Sequence, residues 1–264
     1  MILLITLSGI VVIVMTAGVA LAFAGADKRV PVTMPIVSRS PSPTPTSTAT
    51  ATPTPSPTPV FNRAAQSVDD VSSYWVVVDK LRPLQPADFE PADLVEVPVP
   101  YVHQPFLRQA ASDAVVEMFA AFHAETGLAL QAQSAYRSYS TQVSVYQGWV
   151  SSLGQAGADL TSARPGYSEH QTGLAIDVNA LPDQGCALEV CWGNTPHAQW
   201  LQGNSWRFGL IVRYPGDKTA ITGYESEPYH LRYVGVELAT ELRNTGITTL
   251  EEFFSLPAAP DYAR

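Results

Sequence analysis

Apolar positions divide the chain into three stretches of different character. From Ile2 to Ala24 they are nearly continuous and no side chain is charged, giving a run of about 23 residues. At the helical rise this is enough to span ~30 Å of hydrocarbon. From Ser38 to Val60 the sequence reads SRSPSPTPTSTATATPTPSPTPV. Alternating proline forbids helix and ladder alike and leaves an extended spacer, whose hydroxyls also suit O-glycosylation. Beyond Ser67 the pattern becomes that of a globular domain. Val115, Met118, Phe119 and Phe122 recur at helical spacing within Leu107 to Thr126, and Gly127 marks the stop. Val143, Tyr146 and Val150 mark a second helix, from Ser140 to Leu153, and a third closes the domain from Gly235 to Arg243. Strands are predicted at 128–133, 174–178 and 229–233, and Tyr74 to Val78 is a β-rich run. The segment LRPLQPADFEPADLVEV after it reads as an extended wrap. Helices and strands are segregated, so the fold class is α+β: a small antiparallel sheet with helices packed on one side.

The predicted organisation is therefore a transmembrane anchor or signal peptide over 1–27, a Pro/Ser/Thr-rich linker over 28–66, and one domain over 67–264. Ala-rich triplets around Ala20 to Ala26 keep cleavage open as the alternative to an anchor, and the basic n-region expected of a signal peptide is missing. Lys28 and Arg29 alone would place that flank inside. They are outweighed by signs of an oxidising exterior. Cys186 and Cys191 are too few for a zinc ribbon and too far apart for a redox pair, so a small disulfide-closed loop is expected, with two free thiols as the alternative. The formal charge of −9 argues against nucleic acid as a partner.

Two segments hold candidate chemistry. In Ser168-Glu169-His170-Gln171-Thr172-Gly173-Leu174-Ala175-Ile176-Asp177, the His and Asp are seven apart, which an unbroken strand would send to opposite faces. Gly173 permits a bend between them, and small neighbours leave room beside Asp177. In Glu227-Pro228-Tyr229-His230, the proline holds Glu227 extended and interrupts the ladder. Two His and one Asp with a position left for water make a catalytic zinc set, and an uncoordinated Glu beside them is the general base such a site needs. Taken singly, each residue is more often a hydrogen-bonded or solvated side chain. Arg137 can grip a free carboxylate bidentately, or simply pair with a helix acid. Arg213, Arg232, His103, His123 and His197 are read as structural.

Ser-x-His-x-x-Gly-x-Ala-x-Asp followed by Glu-Pro-Tyr-His-x-Arg-Tyr-Val-Gly, with Ser-Ala-Tyr-Arg-Ser-Tyr upstream, closely resembles the VanY-type D-alanyl-D-alanine carboxypeptidases, whose fold is that of hedgehog-like domains. The likeness runs from about Val78 to Phe254. It implies His170, Asp177 and His230 as Zn2+ ligands and Glu227 as catalytic base. It also implies Arg137 as a catalytic and substrate-binding residue, Ser168 as substrate-binding, and Gln142 as a further substrate contact. Tyr229 stands where the family usually has Trp, keeping an aromatic wall. The expected protein is a monomeric, membrane-tethered, extracytoplasmic zinc peptidase that removes the terminal D-Ala from peptidoglycan stem pentapeptides. An L,D-carboxypeptidase, a cross-link endopeptidase and a non-catalytic wall-binding module are the alternatives; an intact Glu227 argues against the last.

Overall fold

The computed structural model describes residues 61–263. The anchor or signal peptide read over 1–27, and the linker up to Val60, lie outside them. No helix of the described residues is long and apolar enough to cross a membrane. Packing reaches back into the segment read as linker: Phe61 stacks on Trp75 with ring centroids 5.5 Å apart, and Arg63 donates to the Phe253 carbonyl.

Strands β1 (Leu94–Glu96) and β2 (Phe106–Arg108) form a short antiparallel ribbon ahead of helix α1 (Gln109–Thr126). The sequence read the first as part of the wrap and the second as the start of the helix. Helix α1 ends at Gly127, whose φ of 71° lets its N–H turn back to the His123 carbonyl. Strand β3 (Ala129–Ser134) then leads into α2 (Tyr139–Thr161), capped by the Ser138 side chain. Helix α2 runs past the predicted end at Leu153, because Gly154, at φ 70° and ψ 170°, breaks the helix without ending it. Strand β4 (Ala175–Leu181), helix α3 (Pro196–Asn204), strand β5 (Leu210–Tyr214), the single turn α4 (Thr219–Thr222) and strand β6 (Glu227–Tyr233) follow. Helices α5 (Val236–Thr245) and α6 (Leu250–Phe254) close the chain. The main sheet is antiparallel, in the order β3-β4-β6-β5.

Alternation along the strands divides the interior. Ile176, Val178, Leu210 and Leu231 join α1 and α3 in one cluster, with Val115, Met118, Phe122 and Leu201. Ile211, one residue on from Leu210, joins α5 and α6 in another, with Leu238, Leu242 and Phe253. Helices are therefore not confined to one face of the sheet, a correction to the reading above. The reason lies in β5, which has apolar side chains on both faces and needs cover on each.

Tyr74 to Val78 is not a strand, despite its β-branched composition. Val76 and Val78 face the first cluster, while Trp75 and Val77 face the second. A segment buried on both sides has the period-two pattern of a strand without a partner strand. Its carbonyls are satisfied by side chains instead: Arg232 Nη2 donates to Tyr74 and Val76, and Arg82 Nε to Val77.

Gly173 makes the bend that the sequence demanded. Its φ is 65°, and a Cβ built there would lie 2.8 Å from Leu94 Cδ2 and 3.0 Å from Arg108 Cγ. Gly173→Ala is therefore expected to destabilise the fold by about 1–3 kcal/mol, read as a lowered Tm in thermal unfolding.

Candidate active site

The turn Glu169–Thr172 is a single 3-10 turn, closed by the Gly173 N–H donating to the His170 carbonyl. It presents His170 beside the sheet. Across the sheet, Asp177 of β4 and His230 of β6 are register partners, so their side chains leave the same face side by side. Beyond that pair β4 and β6 no longer bond, which is why Pro228 can sit near the start of an inner strand. A register shift between Val212 and Tyr214 lets β5 pair Tyr214 with Glu227 and brings that carboxylate back toward the site.

His170 Nε2 lies 3.3 Å from Asp177 Oδ2, and His230 Nδ1 lies 3.0 Å from Asp177 Oδ1. The candidate ligand atoms of all three residues fall within 4.8 Å of one another, and all three residues are buried. Donors at ~2.0–2.1 Å on a tetrahedral ion stand about 3.3 Å apart, a separation that the two contacts to Asp177 match. The tautomers fit as well. His170 Nδ1 donates to the Ala135 carbonyl at 2.7 Å, which leaves its Nε2 lone pair for a metal. Two imidazoles and a carboxylate are three protein ligands, the number that leaves a zinc coordination position for reaction. Glu227 Oε2 stands 3.6 Å from His230 Nδ1.

Burial raises the Glu227 pKa, and although His230 and Arg137 oppose it, the group is pushed up to about 8. For His230 burial disfavours the imidazolium, but hydrogen bonds to Asp177 and Glu169 outweigh it and hold the ring at about 10. His170 moves the other way: burial dominates, and Asp177 only partly compensates. Zinc bound at these three residues would therefore displace a proton from His230. Its affinity is expected to rise about tenfold per pH unit below about 10, measured by chelator competition at several pH values. The zinc-free fold should follow the opposite trend. A raised pKa contributes stability that is present below the unfolded value, 6.5 for His230, and is lost as pH rises through about 10.

Arg137 directs its guanidinium to Gln142 Oε1 at 2.9 Å and Ser134 Oγ at 3.3 Å, and its backbone N–H donates to the His170 carbonyl. Burial lowers its pKa, with Asp177 and Glu227 close enough to oppose that. Ser168 is buried directly before the turn that carries His170. Gln142 is fully buried, and both ends of its amide are engaged by the protein. Its Oε1 accepts from Arg137, while its Nε2 donates to Ser162 Oγ and the Ala163 carbonyl. That places it behind Arg137.

The sequence reading missed Glu169. Its side chain is wholly buried, with Oε1 accepting from Arg213 Nε at 2.9 Å and Arg232 Nη1 at 2.7 Å, while Oε2 lies 3.4 Å from His230 Nε2. Arg213 also donates to both oxygens of Glu251 in α6. Burial opposes ionisation of Glu169, but Arg232 and Arg213 overcome it and hold the carboxyl well below the usual range. Glu169 thus orients the far nitrogen of a candidate metal ligand. Arg213 and Arg232, read as unassigned structural residues, hold Glu169 in place. The available signal was positional: Glu169 adjoins His170, and Arg232 is two residues beyond His230 on the same strand face. Cys186 and Cys191 form the expected disulfide.

A buried set of two imidazoles and a carboxylate on an α+β sheet, with an uncoordinated acid alongside, is the arrangement of a mononuclear zinc hydrolase. A family model described as VanY, D-alanyl-D-alanine carboxypeptidase, matches residues 104–236, and the chain belongs to that family. It is 41% identical over 174 residues to a putative carboxypeptidase, YodJ, of Bacillus subtilis (strain 168), covering 64% of this chain and 63% of that protein. A D-alanyl-D-alanine carboxypeptidase of Enterococcus faecalis (strain ATCC 700802 / V583) is 46% identical over 109 residues, 41% of this chain and 38% of that one. The chain thus spans less than two thirds of the length of either. Among solved structures it resembles the LdcB LD-carboxypeptidase, with a TM-score of 0.65 at 39% identity, covering 70% of this chain and 87% of that chain. It also resembles a mutant of the vancomycin-resistance D,D-pentapeptidase VanY from a VanB-type cassette, in complex with Zn(II). There the TM-score is 0.57 at 33% identity, covering 69% of this chain and 98% of the other.

Proposed function

We propose that this chain is a zinc carboxypeptidase that removes the terminal D-Ala from peptidoglycan stem pentapeptides. The observation that supports it most is the convergence of His170, Asp177 and His230, with Glu227 beside His230 and Arg137 close enough to Asp177 and Glu227 to feel their charge. Zinc held by His170 Nε2, Asp177 and His230 Nδ1 would supply a Lewis acid that polarises the scissile carbonyl and acidifies water. Glu227 takes the proton from the attacking water and returns one to the leaving amine. Arg137, which pairs with no acid among the described residues, holds the substrate's terminal carboxylate, and Ser168 lines the same end. Gln142 acts through Arg137, fixing the plane of its guanidinium. Gln142→Ala is therefore expected to lower kcat/KM roughly ten- to hundredfold, mainly through KM, in steady-state assays.

The test is direct. The zinc-loaded protein should release D-Ala from a synthetic pentapeptide, a chelator should stop it, and added zinc should restore it; no release sinks the proposal. A second reading, hydrolysis of the terminal residue of tetrapeptide stems, is favoured by the likeness to LdcB, named as an LD-carboxypeptidase, at a TM-score of 0.65. Muropeptides analysed by mass spectrometry before and after treatment decide between them. We further place the domain outside the cell membrane, tethered by residues 1–27. The charge-free apolar run, the proline-rich stalk and the Cys186–Cys191 disulfide support this. Protease treatment of intact cells should then release the domain, and full protection would refute the placement.

A further inference from the structure

Helix α2 carries a surface that the metal site does not use and the fold uses only at the Tyr146 hydroxyl, which donates to Asp159. Tyr139, Val143, Tyr146, Trp149, Val150 and Leu153 recur at the three- and four-residue spacing of a core-facing stripe. Among the described residues nothing covers the stripe. Tyr139 is 37% exposed, Trp149 39% and Leu153 51%, and the other three are half-buried. The helix also lacks charge: from Tyr139 through Ala158 there is no Asp, Glu, Lys or Arg. Its solvent-facing polar groups are hydroxyls and amides, among them Ser144, Gln147 and Gln155. An exposed helix face normally carries charged residues opposite its apolar stripe, so this surface is built for something other than water alone.

Beside the stripe runs a shallow groove, lined by Val143, Tyr146, Gln147, Val150 and Ser151 and walled by Arg164 and Pro165. Its two walls lead to the catalytic centre. Helix α2 begins two residues after Arg137, and Pro165 stands three residues before Ser168. Gln142 joins the walls, bonding Arg137 on one side and the Ala163 carbonyl on the other.

We propose that this groove and stripe form a carbohydrate subsite that holds the glycan chain of peptidoglycan while its stem peptide reaches the metal; this rests on the substrate class proposed above. Aromatic and aliphatic faces pack on the C–H faces of sugar rings, and amides and hydroxyls serve the sugar hydroxyls. The helix does this with no ionic group on its stripe to desolvate, and Arg164 in the groove wall is already paired with Asp159. A lipid surface would instead call for Lys or Arg along the polar face, and α2 has none. The reach agrees. Four extended residues of stem span about 14 Å, and the helix rises roughly 16 Å from Tyr139 to Val150 at ~1.5 Å per residue. An extended stem whose last residue sits at Arg137 is therefore long enough to bring its sugar to the groove.

The test compares kcat/KM for a disaccharide pentapeptide with that for the same pentapeptide lacking sugar, using the full zinc-loaded chain. Wild type should favour the sugar-bearing substrate by about three- to tenfold. The ratio should fall toward one in Trp149→Ala and in Ser151→Arg, which fills the groove; both positions are solvent-exposed, so neither change disturbs the core. A wild-type ratio of one, or a ratio that neither substitution moves, overturns the proposal. If neither substrate is cut, the carboxypeptidase reading fails instead. The subsite is then judged by titrating a neutral N-acetylglucosamine tetramer and following tryptophan fluorescence: binding lost in Trp149→Ala supports it, and no binding overturns it. Self-association that depends on Trp149, seen in sedimentation, would make the stripe a dimer contact and overturn the subsite as well.

Discussion

Glu227→Gln is expected to lower kcat by about 10²- to 10⁴-fold, the usual contribution of a positioned general base, while the protein still binds zinc. The two effects separate because Glu227 is not among the ligand set: the donors that converge are His170, Asp177 and His230. Stability should move the other way. Burial pushes the Glu227 carboxyl up to about 8, so its ionised form is disfavoured by the fold. In the zinc-free protein the stability it contributes is present below the ordinary value of 4.5 and is lost as pH rises through about 8. An amide of the same shape carries no charge, so the zinc-free variant should be at least as stable as wild type, with its advantage growing as pH rises from 4.5 to about 8 and level above that. Metal content, turnover and thermal unfolding on one preparation check all three. Turnover near the wild-type rate with zinc bound would remove Glu227 from its role.

Glu169→Ala is the change with the largest expected effect on the fold. It leaves Arg213 and Arg232, both fully buried, without the carboxylate oxygen that they share. Breaking a buried ion pair from one side costs about 3–5 kcal/mol; Glu251 keeps Arg213 partly paired, whereas Arg232 retains only backbone carbonyls. The same change frees His230 Nε2, and losing such a partner weakens metal binding by about 10- to 100-fold. Glu169→Gln separates the two roles. The amide can still meet His230 but withdraws the negative charge, so stability should drop while the ring stays oriented. Denaturant unfolding and zinc competition read the two effects independently. Unchanged zinc affinity in Glu169→Ala would show that His230 needs no such support.

Much of the site was legible because its chemistry is compressed into short segments. His170 and Asp177 share one ten-residue motif, Glu227 and His230 stand three apart, and Arg137 sits in its own block. Gly173 announced the bend, and its φ of 65° confirms why no larger residue serves. Helix periodicity placed α1 and α5 to within a few residues for the same reason: their apolar faces repeat locally. The break in α2 at Gly154 was harder to place, since a glycine near a helix end marks a stop and an interruption alike.

What the sequence determined by itself was the inventory: an α+β domain, a candidate histidine–aspartate–histidine ligand set and an acid beside it. Only tertiary structure decided which buried groups hold that set in place. Glu169 belongs to the turn at His170, yet its partners arrive from β5 and β6, and Glu251, which secures one of them, arrives from α6. Gln142 reads from the chain as a group available to substrate, but in the fold both ends of its amide are taken. Tyr74 to Val78 has the composition of a strand and is none, because its neighbours are two side-chain clusters and two arginines. Ligand spacing is a property of a few adjacent residues, whereas the pairing of a buried charge depends on which distant segments the core brings against it.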